Sequence, residues 1–501
     1  MALAQGFVTG QGARLVVGQA NFTAQIPGAS DTLIGGAAGI AFAGDTLFVA
    51  DSNREGYTPV NNRVLLFENV SQSWPLPDSV IPAYSGRCPV CVGQASVVLG
   101  QPDFVSTAFH TSQTGMRTPT GVASDGRILA VADTENNRIL IWNSIPTFNG
   151  QPADLVLGQP DFNTVQAIAV NASSFRGPQG VWIKNGKLYV ADTQNNRILI
   201  WNSIPTKNNQ PADVVLGQPD FTTVSPVPVD SSALKPTSST MLNPVSVTTD
   251  GIRLYVADLG YNRVLIWNSI PTHNYVAADV EIGQVNFQSA TPNDYTNLCP
   301  QVLDANGNPV LDSNGNVEYP ARCGRTMDYP RFALSDGQRL FVADGGNDRI
   351  LVYNKIPTQN AAEADVVLGQ PDEFASVVTS MTDLFHPLLL QSAANVIPSP
   401  TSLAWDGVNL YAADPSNRRI LVFTPGDVQL SITGIRNAAS LEVYAQGEVD
   451  ISGTIQANDT VTITINGANY TYTVLSTDTI ATVLQNMVNL INDSNGGNGD
   501  P

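Results

Sequence analysis

The chain repeats itself. Ile139–Thr147, read Ile-Leu-Ile-Trp-Asn-Ser-Ile-Pro-Thr, recurs over Ile198–Thr206 and, with small changes, over Val264–Thr272 and Ile350–Thr358. A second element follows it. Ala153–Phe162, read Ala-Asp-Leu-Val-Leu-Gly-Gln-Pro-Asp-Phe, is echoed at Ala212–Phe221, Ala278–Phe287, Ala364–Phe374 and Ala95–Phe104. Ahead of both stand a short strand ending in a Gly turn (Gly44, Gly126, Gly186, Gly251, Gly337, Gly407) and then a Val-Ala-Asp triplet, a turn and Asn-x-Arg or a near relative. A chain written this way stacks one supersecondary unit many times instead of folding around one irregular core.

Each unit holds four short stretches rich in Val, Ile, Leu and aromatics, bounded by Asn, Asp, Gly and Pro, which read as strands. Four-stranded units in series are the blades of a β-propeller, whose radial repetition shelters sheet edges. The first three elements occur six times, and no fourth strand follows the last set, Ser402–Phe423. The missing copy is Ala13–Phe22, near the start of the chain. The expected fold is all-β: a six-bladed β-propeller over 13–427, closed by the N-terminal strand and preceded by a lead-in at 1–12. A small C-terminal β-rich domain with one helix is expected over 428–491, then a flexible tail at 492–501.

The Val-Ala-Asp…Asn-x-Arg pattern resembles the NHL repeat over residues 13–427. The resemblance implies a propeller of secreted bacterial type. It leaves function open, since NHL-like propellers include RNA binders, an amidating lyase, lactonase-like relatives and secreted scaffolds. Even the closest Asp copies, 133 and 192, lie further apart than the roughly 40–50 residues of a compact blade. Every blade therefore carries inserts, mostly between a fourth strand and the next first strand. Antiparallel order gathers those inserts on one face, which is the first expectation for a binding surface.

The repeated Asp51, Asp133, Asp192, Asp258, Asp344 and Asp414, with Arg63, Arg138, Arg197, Arg263, Arg349 and Arg419, read as structural staples. A catalytic group is needed once, whereas an Asp before a turn and an Arg after it can pair in every blade. Trp142, Trp201 and Trp267 share one repeat position and read as packing. Trp182 and Trp405 fall on or at the end of innermost strands, where packing is the first reading and stacking on a ligand the second. His110, His273 and His386 occupy unrelated positions and do not suggest a zinc cluster.

The cysteines form two sequence-local pairs, Cys88 with Cys91 and Cys299 with Cys323, read as disulfides of an oxidising compartment. Between the latter pair, Asp304, Asn306 and Asn308 and then Asp312, Asn314 and Asn316 repeat Asp-x-Asn-Gly-Asn, which resembles calcium loops. They lack the EF-hand glutamate, and a disulfide-closed hairpin is the preferred reading. No cofactor is expected, and calcium is the one candidate ion.

Past Val428 the repeat stops. Strands are expected at Glu448–Ile455, Thr460–Ile465 and Tyr470–Leu475, and a helix capped by Asp478 over Thr479–Ile491. Gly434–Ser440 resembles the start of a C-terminal module of secreted bacterial proteins, and Asp459–Ile491 a unit of surface and phage-tail proteins. A strand supplied by a neighbouring copy would make this module an assembly device.

With 24 Lys+Arg against 43 Asp+Glu, the net charge is −19, which disfavours nucleic acid. No run of about 18 apolar residues is present, so no membrane span is expected. Met1-Ala2-Leu3-Ala4 looks like the tail of a signal peptide, in keeping with an extracellular or cell-surface protein. These readings converge on a non-enzymatic extracellular binding or structural protein, an adhesin, matrix or filament component. Its partners would be other copies of itself, other surface proteins or glycans. The alternative is a metal-dependent enzyme of the lactonase or amidating-lyase kind, with its site at the propeller channel.

Overall fold

The computed structural model describes residues 6–52, 60–74, 93–165, 169–224, 236–375, 392–426, 456–465 and 468–492. Residues 1–426 and 427–501 form two compact units. The first unit is built of six four-stranded antiparallel sheets. In blade three, Gly180–Lys184, Lys187–Asp192, Arg197–Trp201 and Val214–Leu216 follow one another in strand order. The first strands of the six blades are Ala37–Ala43, Pro119–Ser124, Gly180–Lys184, Pro244–Thr249, Pro330–Ser335 and Leu403–Trp405. They contact one another around the ring and line the channel. Three begin with Pro, where a strand tolerates it, and the register slips by one residue behind each of those prolines.

The sixth sheet is completed from the other end of the chain. Leu15–Val17 pairs with the third strand of blade six, Leu15 opposite Val422 and Val17 opposite Ile420. Strands alternate buried apolar residues on both faces, so each blade packs against the next. Tyr189, Ile198, Ile200 and Leu216 of blade three, for example, lie with Val247, Leu254 and Val256 of blade four.

Hydrogen bonds across the seams add specificity to this packing. The x of Asn-x-Arg is Asn62, Asn137, Asn196, Asn262 and Asp348 in the first five blades, each left-handed with φ between 49° and 55°. Short Asx side chains tolerate that conformation. Each side-chain oxygen accepts a backbone N–H from the next blade: Thr118, Gly177, Asn243, Tyr329 and Ser399, at 2.7–3.0 Å. A second set works at the outer strands. Asn149, Asn208, Asn274 and Asn360 accept the N–H of Val98, Val156, Val215 and Glu281 in the preceding blade, at 3.0–3.1 Å. At the fifth seam Thr9 takes that place, its Oγ1 accepting Val367 N–H at 3.2 Å, and Gly10 N–H donates to Val367 O.

In the second unit, Thr460–Ile465 pairs with Ala468–Thr473 and the helix Ile480–Asn492 follows. Val474, Val483, Met487 and Ile491 are buried there. The expected strand Glu448–Ile455 lies outside the described residues. Asp478 does not cap the helix by accepting its first amides. Its Oδ2 accepts Tyr472 O–H and Leu475 N–H, both at 2.8 Å, while Thr479 Oγ1 accepts Thr482 N–H at 3.2 Å. The hydroxyl sits at the distance from the first turn that an N-cap requires.

Candidate functional site: the propeller channel

The twelve repeated Asp and Arg residues are fully buried. In blade three, Asp192 Oδ1 accepts Arg176 N–H at 2.7 Å, and Oδ2 accepts Asn195 Nδ2 at 2.9 Å and Arg197 Nε at 2.7 Å. Arg197 donates further to the carbonyls of Phe221, Asn171 and Ser174, at 2.7–3.0 Å. The pair thus joins the turn between strands two and three to the loop entering the blade and to the loop leaving it. The same ion pair closes at 2.7–2.9 Å between Asp51 and Arg63, Asp133 and Arg138, Asp258 and Arg263, Asp344 and Arg349, and Asp414 and Arg419. Each of these carboxylates is thereby held, fully buried, in the turn of its own blade.

Blade four departs from the pattern. Glu281 stands where the other fourth strands carry Val16, Val98, Val156, Val215 and Val367. It is fully buried, its Oε2 accepts Arg263 Nη1 at 3.1 Å, and Oε1 has no partner among the described residues. Burial pushes its carboxyl up to about 7, against the pull of Arg263.

Cys299 and Cys323 are joined by a disulfide, while Cys88 and Cys91 lie outside the described residues. Asp304 and Asp312 each turn Oδ1 inward to two amides of their own loop, Asn306 and Asn308 for the first, Asn314 and Asn316 for the second, at 2.8–2.9 Å. Leu303 bridges Pro309 and Leu311 bridges Val317, so the segment forms two successive tight turns within the disulfide loop. His110 and His273 are exposed, and His386 lies outside the described residues. Among the described residues no three His, Cys, Asp or Glu side chains gather as a metal site.

The two ends of the channel differ. At the starts of the first strands, where the long inserts enter, only ≈ 30 Å³ is open, about the share of one water. Gly39 and Gly121 explain the closeness: a Cβ on either would stand 2.3 Å from a carbonyl oxygen of the next blade, Thr120 or Gln179. At the opposite end, where the first strands turn into the second, a cavity of ≈ 490 Å³ opens. Between them Trp182 of blade three meets Phe332 of blade five edge to face, ring centres 6.5 Å apart. The roomier end is therefore the one away from the inserts that join one blade to the next. Channel width follows side-chain size on the innermost strands, which loop length does not report.

Trp182, Trp405 and Phe42 line this wide mouth together with the strand-one turns. Trp182 donates its indole N–H to Thr249 O at 3.2 Å, which fixes the ring. Arg339 lies over the ring of Trp405 at 4.8 Å and is paired with Asp336 at 2.7 Å. The turn carboxylates of the last three blades are held from below. Asp250 accepts Tyr255 O–H at 2.8 Å, Asp336 takes the Arg339 pair, and Asp406 accepts Tyr411 O–H at 2.6 Å and Asn409 Nδ2 at 2.8 Å. Blade two carries Ala130 at the position of those tyrosines, and Asp125 uses only Oδ1, for the amides of Arg127 and Ile128. Blade three has Asn185 in place of the Asp, and the hydroxyl of Tyr189 below it has no partner among the described residues. Sequence reasoning singled out the two tryptophans and missed these turn residues. The signal was available, as a break in the Asp-Gly turn at Lys184-Asn185-Gly186.

No family model matches the chain, and no curated protein matches it. Among solved structures it is similar to hydrazine synthase of Kuenenia stuttgartiensis, at 13% identity and a TM-score of 0.37, covering 79% of this chain and 97% of that one. It is similar to the periplasmic gluconolactonase of Pseudomonas aeruginosa, at 16% identity and a TM-score of 0.33, covering 68% and 86%. It is also similar to virginiamycin B lyase of Staphylococcus aureus, at 11% identity and a TM-score of 0.34, covering 78% and 94%. Likeness at these values carries no statement about what this chain binds or transforms.

Proposed function

We propose that this chain is a non-enzymatic extracellular binding or structural protein, in which the propeller is the scaffold and the C-terminal unit an attachment or self-assembly element. The observation that carries the reading is the engagement of the repeated Asp and Arg side chains in holding turns and loops, while the cavity at the strand-one turns offers aromatic faces and turn polar groups. That lining suits holding a ligand better than activating one. The Cys299–Cys323 disulfide supports an oxidising compartment. In the C-terminal unit, one hairpin face presents exposed Thr460, Thr462, Thr464, Asn469, Thr471 and Thr473, an uncharged polar surface that a second copy can approach without desolvating ions.

The test is made on purified full-length protein. Elemental analysis and a hydrolysis screen over lactones and esters are run beside analytical ultracentrifugation at rising concentration. The expected result is no turnover and concentration-dependent association. A stoichiometric divalent ion whose removal by chelator abolishes lactone turnover would replace this reading with the metal-dependent enzyme.

A further inference from the structure

We propose that the wide mouth of the channel binds one pyranose residue of an uncharged glycan, seated against the turns of blades two and three. This rests on the reading of the chain as a binding scaffold and names the ligand class.

The cavity of ≈ 490 Å³ falls in the range of about 300–1,000 Å³ typical of small-ligand sites. Its aromatic lining is ordered before any ligand arrives. Trp182 is fixed by its bond to Thr249 and by the edge of Phe332, and Trp405 by Phe341, stacked at 5.7 Å, and by Arg339. Both indoles remain half-buried and so keep surface for a ligand. An aromatic face is a good partner for the C–H-bearing face of a sugar ring, because it is apolar, flat and electron-rich.

Specificity needs polar groups that are still available, and these lie on one side of the mouth. The carboxylates of Asp250, Asp336 and Asp406 are engaged by Tyr255, Arg339, Tyr411 and Asn409. Blades two and three leave three lining groups uncommitted, Asp125 on the blade-two turn and Lys184 and Asn185 beside Gly251 of blade four. Asp125 Oδ2 has no hydrogen-bond partner among the described residues, and neither the Lys184 ammonium nor the Asn185 amide has one. They supply an acceptor, a donor and a group that does both, which is the inventory that adjacent sugar hydroxyls satisfy. The single positive charge of Lys184 and the single negative charge of Asp125 sum to zero across the mouth, which favours a neutral ligand over an anion or a cation.

Full-length protein is titrated with the methyl glycosides of glucose, galactose, mannose and N-acetylglucosamine, followed by saturation-transfer NMR and calorimetry. At least one glycoside is expected to bind, and the Lys184→Ala/Asn185→Ala double variant, altered only at exposed residues where the first strand meets its turn, to weaken it about tenfold, as loss of charged hydrogen bonds predicts. Asp125→Asn is expected to weaken it in the same direction. Trp182→Ala tests the aromatic lining, with its melting temperature measured beside it because Trp182 also contacts Phe332. Absence of binding by every glycoside at about 10 mM, a concentration that would reveal even a weak site, overturns the proposal. Binding that persists unchanged in the double variant and in Asp125→Asn also overturns it while leaving the scaffold reading intact. Lactone turnover by the same preparation would overturn the scaffold reading itself.

Discussion

At the seam between blades three and four, Asn196 and Asn274 each accept an amide from the adjoining blade; Asn pairs do the same at three other seams, and Asp348 and Thr9 take their places at the fifth. At the seam between blades six and one, the position of Asn196 is taken by Arg418, which has no oxygen to offer. The amide it would have met, Gly36 N–H, is accepted by Asp51 within blade one. Other bonds serve that junction: Thr401 Oγ1 donates to Ala37 O, Ile40 N–H donates to Ser402 Oγ, and Gln25 Nε2 donates to Asn417 Oδ1. The contrast separates two tasks. Five seams join blades that follow each other in the chain, and one clasp can be repeated at each. The closing seam joins blades that are hundreds of residues apart, and it draws on the first strands and on the N-terminal segment.

Removing the first 18 residues is the largest blow to this arrangement. It deletes both Leu15–Val17 and the Thr9 and Gly10 bonds to Val367. The truncated chain is expected to lose cooperative unfolding, read by calorimetry, because the third strand of blade six loses its outer neighbour and the fourth strand of blade five loses its bonds to Thr9 and Gly10. A sharp transition near the full-length temperature would mean that the ring does not depend on its N terminus.

Next comes the fourth seam, which carries the disulfide. Cys299→Ser/Cys323→Ser opens a loop of 24 residues separation, expected to cost about 3 kcal/mol in denaturant titrations. Glu281 sits at the same seam, its amide held by Asn360. Its folded pKa, about 7, exceeds its ordinary value of 4.5, so folding favours the protonated form. The stability this confers is full below the ordinary value and is lost as pH rises through about 7. Glu281→Gln is therefore expected to match the parent at pH 5 and to exceed it by on the order of 2 kcal/mol at pH 8. Parallel stability curves from pH 5 to 8 would contradict the assignment.

The clasps themselves come last. Asn196→Ala removes an acceptor and the short polar side chain that makes a left-handed backbone tolerable, at about 2 kcal/mol. Arg418→Asn at the closing seam is expected to change stability less than Asn196→Ala does, since Gly36 N–H is already bound and the substitution gives up the Arg418 Nη1 bond to Gln25 O at 3.4 Å. Equal effects at the two sites would erase the distinction between the seams.

Much of this ring could be read from the sequence. Six sets of three elements and a stray fourth strand at Ala13–Phe22 give the blade count and the closure, because a repeated unit signals itself each time. The seams were less legible. Asn137 and Asn196 act on residues of the next blade, and nothing local to Asn-x-Arg marks its middle residue as the active one. Thr9 resembles no Asn of the outer set, since its role comes from where the lead-in passes and not from its type. The channel mouth was least legible of all. Its residues occur once each, on strands whose neighbours around the channel are fixed only when the ring closes, and the long inserts drew attention to the other end.

Closure by the N-terminal segment is tested most directly by hydrogen exchange with mass spectrometry, on intact protein in mild denaturant. The account expects peptides covering Leu15–Val17 and Arg419–Phe423 to exchange at lower denaturant than those covering Arg138–Trp142 and Arg197–Trp201. Exchange of the closing blade together with, or after, blades two and three would contradict it.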